Sequence, residues 1–257
     1  IHIPTWVDDN MLLAAEKNGN LWDSHMDNKM KLIEFVKART GIELDLNTLL
    51  IGFARRTTSY KRPDLLFRDP EIIIPMLKEK RLQLIFSGKA HPMDDTGKAI
   101  VSNLVRISRQ FPESVVFLEN YDMNIGKALT RGVDVWLNNP RRPLEACGTS
   151  GMKAAMNGVL NLSTLDGWWA EACQHGINGW QFGNGFTHQN PAVQDEHDTK
   201  ALYRILNDAV IPTYYHDRPK WVEMMRNSIT STRHYFDIKR MMDKYYERMY
   251  TAQRKNL

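Results

Sequence analysis

Apolar residues along this chain fall into short unbroken blocks separated by longer segments with helical spacing. Leu49-Leu50-Ile51-Gly52-Phe53-Ala54 is such a block. It is too short for a helix of its own and ends in a polar run, so it reads as a buried strand, Leu49 to Phe53. Leu82 to Phe86, Ser114 to Leu118, Val133 to Trp136 and Gly158 to Leu162 read the same way. Between them the spacing changes. Lys29 to Thr40 carries Leu32, Ile33, Phe35 and Val36 on one side, as an amphipathic helix does. A helical region is expected from Arg62 to Lys80. Another runs from about Asp94 to Phe111 and is stopped by Pro112. Shorter ones are expected at Gly126 to Thr130 and Met152 to Asn157. From about Pro191 the pattern is helical to the end, and Met241, Met242, Tyr245, Tyr246 and Met249 read as core packing of a terminal helix. Gly183 to Gln189, with His188, is the most loop-like stretch. No internal repeat is visible. Strands alternating with helices imply right-handed crossovers, a parallel sheet and an α/β fold.

Two departures from this pattern carry chemistry. The first is Arg141 to Ala155, Arg-Arg-Pro-Leu-Glu-Ala-Cys-Gly-Thr-Ser-Gly-Met-Lys-Ala-Ala. Gly148-Thr149-Ser150-Gly151 is too small and flexible for a strand interior and opens the helix that follows. Such a turn presents backbone N–H groups and the positive end of the helix dipole, which suits an anion. Lys153 in the first turns of that helix is unusual, because cations favour the other end. It makes sense beside a phosphate, or as an amine used covalently. The second is Arg55-Arg56-Thr57-Thr58-Ser59-Tyr60-Lys61-Arg62, with four cations in eight residues directly after a buried strand. Ligands of open α/β sheets collect at that end of the strands. Neither a G-x-x-x-x-G-K-[ST] loop nor a G-x-G-x-x-G fingerprint is present.

Composition narrows the field. The 257 residues, 42% hydrophobic and 25% charged, suit one α/β unit with a good core. No apolar run approaches the roughly 18 residues needed to span a membrane, and no secretory signal pattern is visible at the start. Two cysteines, Cys147 and Cys173, make no disulfide framework and no zinc pattern, which fits a reduced, cytoplasmic setting. A net charge of +4 suits anionic substrates, whereas 30 acidic residues argue against a dedicated nucleic-acid binder.

Five motifs then occur in a fixed order: Gly-Phe-Ala-Arg-Arg-x-x-x-Tyr-Lys-Arg, Ser-Gly-Lys-Ala-His-Pro (Ser87 to Pro92), Phe-Leu-Glu-Asn-Tyr (Phe117 to Tyr121), Glu-Ala-x-Gly-Thr-Ser-Gly-Met-Lys, and Asn-Gly-x-Leu-x-x-x-Thr-Leu-Asp-Gly (Asn157 to Gly167). Together they resemble the α-glucan (glycogen or maltodextrin) phosphorylases, the short prokaryotic type above all. The resemblance runs over nearly the whole chain. It implies a Rossmann-like, doubly wound parallel sheet, the C-terminal lobe of a GT-B glycosyltransferase, with a helical tail from about residue 191. His2-Ile3-Pro4-Thr5-Trp6 resembles the start of that lobe, and the family's N-terminal glucan-binding domain has no counterpart in the chain.

The activity so implied is reversible phosphorolysis of α-1,4-glucan to glucose 1-phosphate, with retention, using pyridoxal 5′-phosphate. Implied partners are the glucan, inorganic phosphate, glucose 1-phosphate and the N-terminal lobe; a homo-oligomer is compatible, and nucleic acid, membrane and metal are not expected. Residue by residue, Lys153 matches the Schiff-base lysine. Thr149, Gly148 and Ser150 match the cofactor-phosphate turn, and Arg55 stands where relatives often have lysine near that phosphate. Arg56 and Lys61 match the substrate-phosphate residues. Tyr60 would line the glucosyl pocket, and Glu145 would accept hydrogen bonds from sugar hydroxyls with Cys147 and Gly148 beside it. Tyr121 would lie near the cofactor ring. Cys147 replaces a serine common in long-chain members, and Asp122 falls where many of them have arginine. Asp166 and Glu171 lie in a matching motif without an assigned role, and Lys89 and His91 are expected to support the site from behind.

Two alternatives stand beside this. Retaining nucleotide-sugar glycosyltransferases such as glycogen synthase carry two glutamates eight positions apart in the same loop; here Glu145 is followed eight residues later by Lys153. A non-catalytic binding module descended from a phosphorylase is the other, against which the intact Arg56, Lys61 and Lys153 count.

Overall fold

The computed structural model describes residues 7–16 and 20–250. The His2 to Trp6 motif lies outside the described residues. Six strands form one sheet, each paired parallel to its neighbours: β1 (Leu50–Ala54), β2 (Gln83–Ser87), β3 (Val115–Leu118), β4 (Val135–Asn138), β5 (Leu160–Thr164) and β6 (Gly179–Phe182), in the order β3-β2-β1-β4-β5-β6. This is the doubly wound arrangement expected, with β1 and β4 side by side at the point where the winding reverses. The helices are α1 (Asp9–Glu16), α2 (Leu21–Thr40), α3 (Pro70–Lys78), α4 (Asp95–Gln110), α5 (Met123–Gly132), α6 (Thr149–Met156), α7 (Trp169–Ala172), α8 (Pro191–Ile205), α9 (Ile211–His216), α10 (Arg218–Arg233) and α11 (Ile238–Tyr245).

The sheet is covered on both faces, which is why its strands read as apolar runs and not as alternating ones. Ile51 and Phe53 of β1 point into a core with α3, α4, α8 and α10, through residues such as Ile73, Leu104, Leu202 and Trp221. Leu50 and Ala54, one step out of phase, point into the opposite core with Leu32 and Val36 of α2 and Ile125 and Leu129 of α5. Local chemistry sets several ends. The Asp94 side chain caps α4 by accepting from the Gly97 N–H, and Gly41 ends α2 at φ 74°.

Four expectations need correction. The region Arg62 to Lys80 is not continuous helix. A 3₁₀ turn at Ser59–Lys61 ends at Arg62, which takes φ 46°, a second such turn follows at Leu65–Phe67, and the helix starts only at Pro70. Pro63 and Pro70 disfavour helical geometry in the residues before them. Second, Met241, Met242, Tyr245, Tyr246 and Met249 are exposed, and α11 buries none of its residues. Its apolar spacing therefore does not report core packing within this chain. Third, β6 and α7 lie where no element was expected. Gly179-Trp180-Gln181-Phe182 is short and enters its strand through a glycine at φ 151°; it pairs because β5 presents an edge. Fourth, β4 and β5 begin two residues later than the apolar runs do, because Val133 and Val159 fill the core before the ladders start. The tail from Pro191 is helical as expected. The Gly183–Gly185 turn is tied down, its Gly185 carbonyl accepting from Arg142 Nη1 at 3.2 Å.

Candidate active site

The carboxyl ends of β1, β4 and β5 bring three loops together. After β1, the Arg55 N–H bonds the Ser87 carbonyl of the neighbouring strand (3.2 Å), so the residue leaves the sheet in register. After β4 come Asn139, Pro140 and the segment to Gly148. After β5 comes Asp166-Gly167-Trp168.

Glu145 is the meeting point. Its Oε2 lies 3.0 Å from Arg55 Nη1 and 2.7 Å from Lys61 Nζ, and these side chains are only 8–10% exposed. The Lys61 ammonium also sits 4.8 Å from the centre of the Tyr60 ring. Asp166 holds the glutamate's backbone, with Oδ2 accepting the Glu145 N–H at 2.9 Å and Oδ1 the Gly167 N–H at 3.0 Å. Burial pushes the Asp166 carboxyl above its ordinary value, and those two N–H groups only partly offset it. Gly167 is needed in this corner, since it takes φ 55° and a Cβ there would strike the Cys147 carbonyl. Arg56 points to solvent and has no ion-pair partner among the described residues.

Gly148, at φ 92°, turns the loop into α6, whose start carries no side-chain cap. A side chain is strained at that φ. The position lies against Arg55, since a Cβ built on Gly148 would sit 3.5 Å from Arg55 Nη2. Thr149 and Lys153, one turn apart on α6, share a face and open onto a cavity of about 420 Å³. Ala146, Cys147, Met152 and Trp168 form one side of it, and Tyr235, Phe236 and Arg240 form another. The Phe236 ring meets Trp168 edge-on at 5.2 Å. Burial lowers the Lys153 ammonium below its ordinary value, which favours a nucleophilic amine. Burial first, and then the Glu145 and Glu171 carboxylates, push the Cys147 thiol up, so it is a neutral contact and not a thiolate.

Of the residues singled out from the sequence, Arg55, Lys61, Glu145 and Gly148 are in one cluster, with Tyr60 beside Lys61, while Arg56 is exposed. Cys147, Thr149 and Lys153 belong to the adjoining cavity. Ser150 is half-buried in the first turn of α6. Tyr121 packs at the edge of the core under α5 and does not line the cavity. Asp122 caps α5 by accepting from the Ile125 N–H. Lys89 pairs through its backbone with Thr57, and His91 Nδ1 accepts from the Met93 N–H.

The chain matches the carbohydrate phosphorylase family model over residues 10–208. It belongs to that family. It is 43% identical to the maltodextrin phosphorylase of Thermococcus litoralis, over 90% of this chain and 30% of that protein. It is 38% identical to the glycogen phosphorylase of Aquifex aeolicus, over 98% of this chain and 43% of that protein. To the glycogen phosphorylase of Mycobacterium tuberculosis it is 38% identical, over 97% and 34%. The chain thus spans less than half the length of these relatives.

A second set of contacts in this phosphorylase-family chain had no signal in the sequence, although Arg62 and Arg141 stand in its two basic runs. The Arg62 guanidinium, 1% exposed, donates to Asp195 Oδ1 (2.9 Å) and to the Asn139 and Pro140 carbonyls (2.7 and 3.0 Å), and forms an ion pair with Asp198 Oδ2 at 2.8 Å. Arg141 and Arg68 join Asp195 at 2.7 and 2.8 Å. Burial works against the Asp195 charge, but the three arginines prevail and hold its carboxyl below the ordinary value. One aspartate of α8 therefore locks the loops after β1 and β4 to each other. Asp195 is 133 positions from Arg62, and no periodicity or motif links them. Among the described residues no cluster fit for a metal ion occurs, and no helix is long and apolar enough to cross a membrane.

Proposed function

We propose that this chain is the phosphate- and cofactor-handling C-terminal domain of an α-glucan phosphorylase, with a site completed by a second lobe. The observation that carries the reading is the convergence of Arg55, Lys61 and Glu145 on one side of the Gly148 turn with the Lys153 cavity on the other. The reaction is reversible. The bond between C1 of the terminal glucose and the glucan oxygen breaks, a bond from C1 to a phosphate oxygen forms with retention, and a proton goes to the departing oxygen. A cytoplasmic setting fits such a substrate.

The residues present fit pyridoxal 5′-phosphate. The Lys153 amine, lowered by burial, opens onto a cavity of about 420 Å³, within the range of roughly 300–1,000 Å³ usual for small ligands. Lys153 would hold the group covalently. Thr149, with the N–H groups around Gly148 and Ser150, would hold its phosphate, and Arg55 would neutralise it. When bound, the cofactor supplies a phosphate group able to exchange a proton with the substrate phosphate. Arg56 and Lys61 bind that substrate phosphate, and charge-assisted contacts of this kind resist the repulsion between two phosphates. Tyr60 and the Glu145 loop face the sugar.

The relatives' greater length supports a two-lobed enzyme, as does the apolar face of α11, which nothing among the described residues buries. One wall can hold phosphates. It cannot exclude water or fix a glucan, and such positioning is worth roughly 7–11 kcal/mol when complete. The chain alone is expected to give no turnover, with release of glucose 1-phosphate from maltodextrin and phosphate appearing once the second lobe is supplied. The direct test of the site is chemical. Pyridoxal 5′-phosphate added to the chain should absorb in the near ultraviolet, and borohydride should fix it on the peptide containing Lys153. Labelling spread over surface lysines and unchanged by Lys153→Ala removes the assignment.

A further inference from the structure

Two cations of the candidate phosphate site are held by a single oxygen of a neighbouring carboxylate. We propose that Glu145 is the resident counter-ion of this site: it occupies the seat that inorganic phosphate takes, and phosphate binding turns it out toward the sugar. The proposal rests on the reading of Arg56 and Lys61 as substrate-phosphate residues and of Arg55 as the cation beside the cofactor phosphate, next to that seat.

The geometry says which group moves. One oxygen, Glu145 Oε2, bridges Arg55 Nη1 and Lys61 Nζ at 3.0 and 2.7 Å, as an oxygen of a bound oxyanion would. Both cations have fixed backbones. Arg55 is tied by its N–H to β2. Lys61 directly precedes Arg62, whose guanidinium is locked by Asp195, Asp198 and two carbonyls. The Glu145 backbone is also held, by Asp166. With all three backbones fixed, rearrangement is confined to side chains, and the proposal assigns it to the glutamate, by rotation about its own bonds, which is a fast event.

Charge points the same way. Arg55 and Lys61 together exceed the carboxylate that bridges them by one positive charge, so the pair has room for more anion than Glu145 supplies. Two nearly buried cations without any anion are costly, and the carboxylate keeps the empty site together. Two consequences follow. Phosphate must compete with an internal rival, so its intrinsic affinity is masked. A displaced Glu145 becomes an acceptor for sugar hydroxyls, so phosphate and sugar strengthen each other's binding, reciprocally.

The experiment is calorimetric titration of the chain with inorganic phosphate at constant ionic strength. Glu145→Gln removes the rival charge and should bind phosphate about tenfold more tightly than wild type, as the loss of one charge-assisted competitor implies. Glu145→Asp, shorter by one methylene, should fall between them. Thermal unfolding checks the fold: Glu145→Gln should melt lower than wild type without phosphate and recover with it. If the Gln variant does not fold, the Asp variant carries the test. A folded variant that binds phosphate no better than wild type overturns the proposal and leaves the phosphate site standing. If wild type and both variants all fail to bind phosphate, the phosphate reading falls and the proposal falls with it.

Discussion

At each end of the sheet one carboxylate bridges two basic side chains, and the two ends are built differently. At the amino end of β1 and β4, Asp134 accepts from Lys29 Nζ at 2.6 Å and faces His25 Nε2 at 2.8 Å. Its Oδ2 also accepts the Leu50 N–H at 2.7 Å. Lys29 donates further to the Thr48 carbonyl and the Tyr214 hydroxyl. The Asp134, Lys29 and His25 side chains are 0–1% exposed. Burial pulls the Lys29 ammonium below its ordinary value despite Asp134. Burial works against the Asp134 charge, but Lys29 and His25 outweigh it and hold the carboxyl low. At the carboxyl end, Glu145 has the same kind of partners. It adjoins a cavity, and its carboxylate is held by the two cations while its backbone N–H is held by Asp166. A charge cluster closely hydrogen-bonded around its carboxylate and sealed from water is a structural joint. One beside an open cavity is the kind proposed above as a ligand site.

The largest effect should come from the sealed end. Asp134→Ala leaves Lys29 buried without its anion and should lose roughly 3–5 kcal/mol in urea unfolding. A loss under about 1 kcal/mol would mean that the two ends do not differ in the way described. Asp195→Ala should follow at roughly 2–3 kcal/mol, less because Arg68 is 41% exposed and can be hydrated when freed. It should also weaken phosphate binding, since Lys61 rides on the Arg62 anchor; unchanged phosphate affinity would confine Asp195 to stability.

Acid sharpens the contrast next. The carboxyls of Asp134 and Asp195 are both held below the ordinary 3.8. A depressed folded pKa contributes stability that is fully present above the unfolded value and is lost as pH falls through the folded one. Unfolding free energy should therefore drop as pH falls below about 3.8, and Asp134→Asn should make that limb shallower. A wild-type limb no steeper than the variant's counts against the pair as the source. The smallest stability effect belongs to Arg56→Ala at the open end. It should shift unfolding by less than about 0.5 kcal/mol while weakening phosphate about tenfold. If stability and not affinity moves, Arg56 is part of the scaffold.

Much was decided by the order of residues alone. Apolar runs of strand length between helical segments identify a parallel α/β sheet, because a strand buried on both faces cannot alternate. The Gly148 turn is legible because few residues other than glycine tolerate φ 92°. The cations after β1 are legible because charge directly after a buried strand must leave the sheet at its carboxyl end. Tertiary structure decided the rest. Asp195 reaches Arg62, Arg68 and Arg141 only once α8 has packed against β6 and the loops. The wall of the Lys153 cavity at Tyr235, Phe236 and Arg240 comes from far along the chain. β6 forms because β5 has an edge to fill, although its own four residues signal little. The exposed methionines and tyrosines of α11 show the limit of periodicity. A 3.6-residue apolar pattern records that a face seeks cover, and which surface covers it depends on contacts that no local spacing contains.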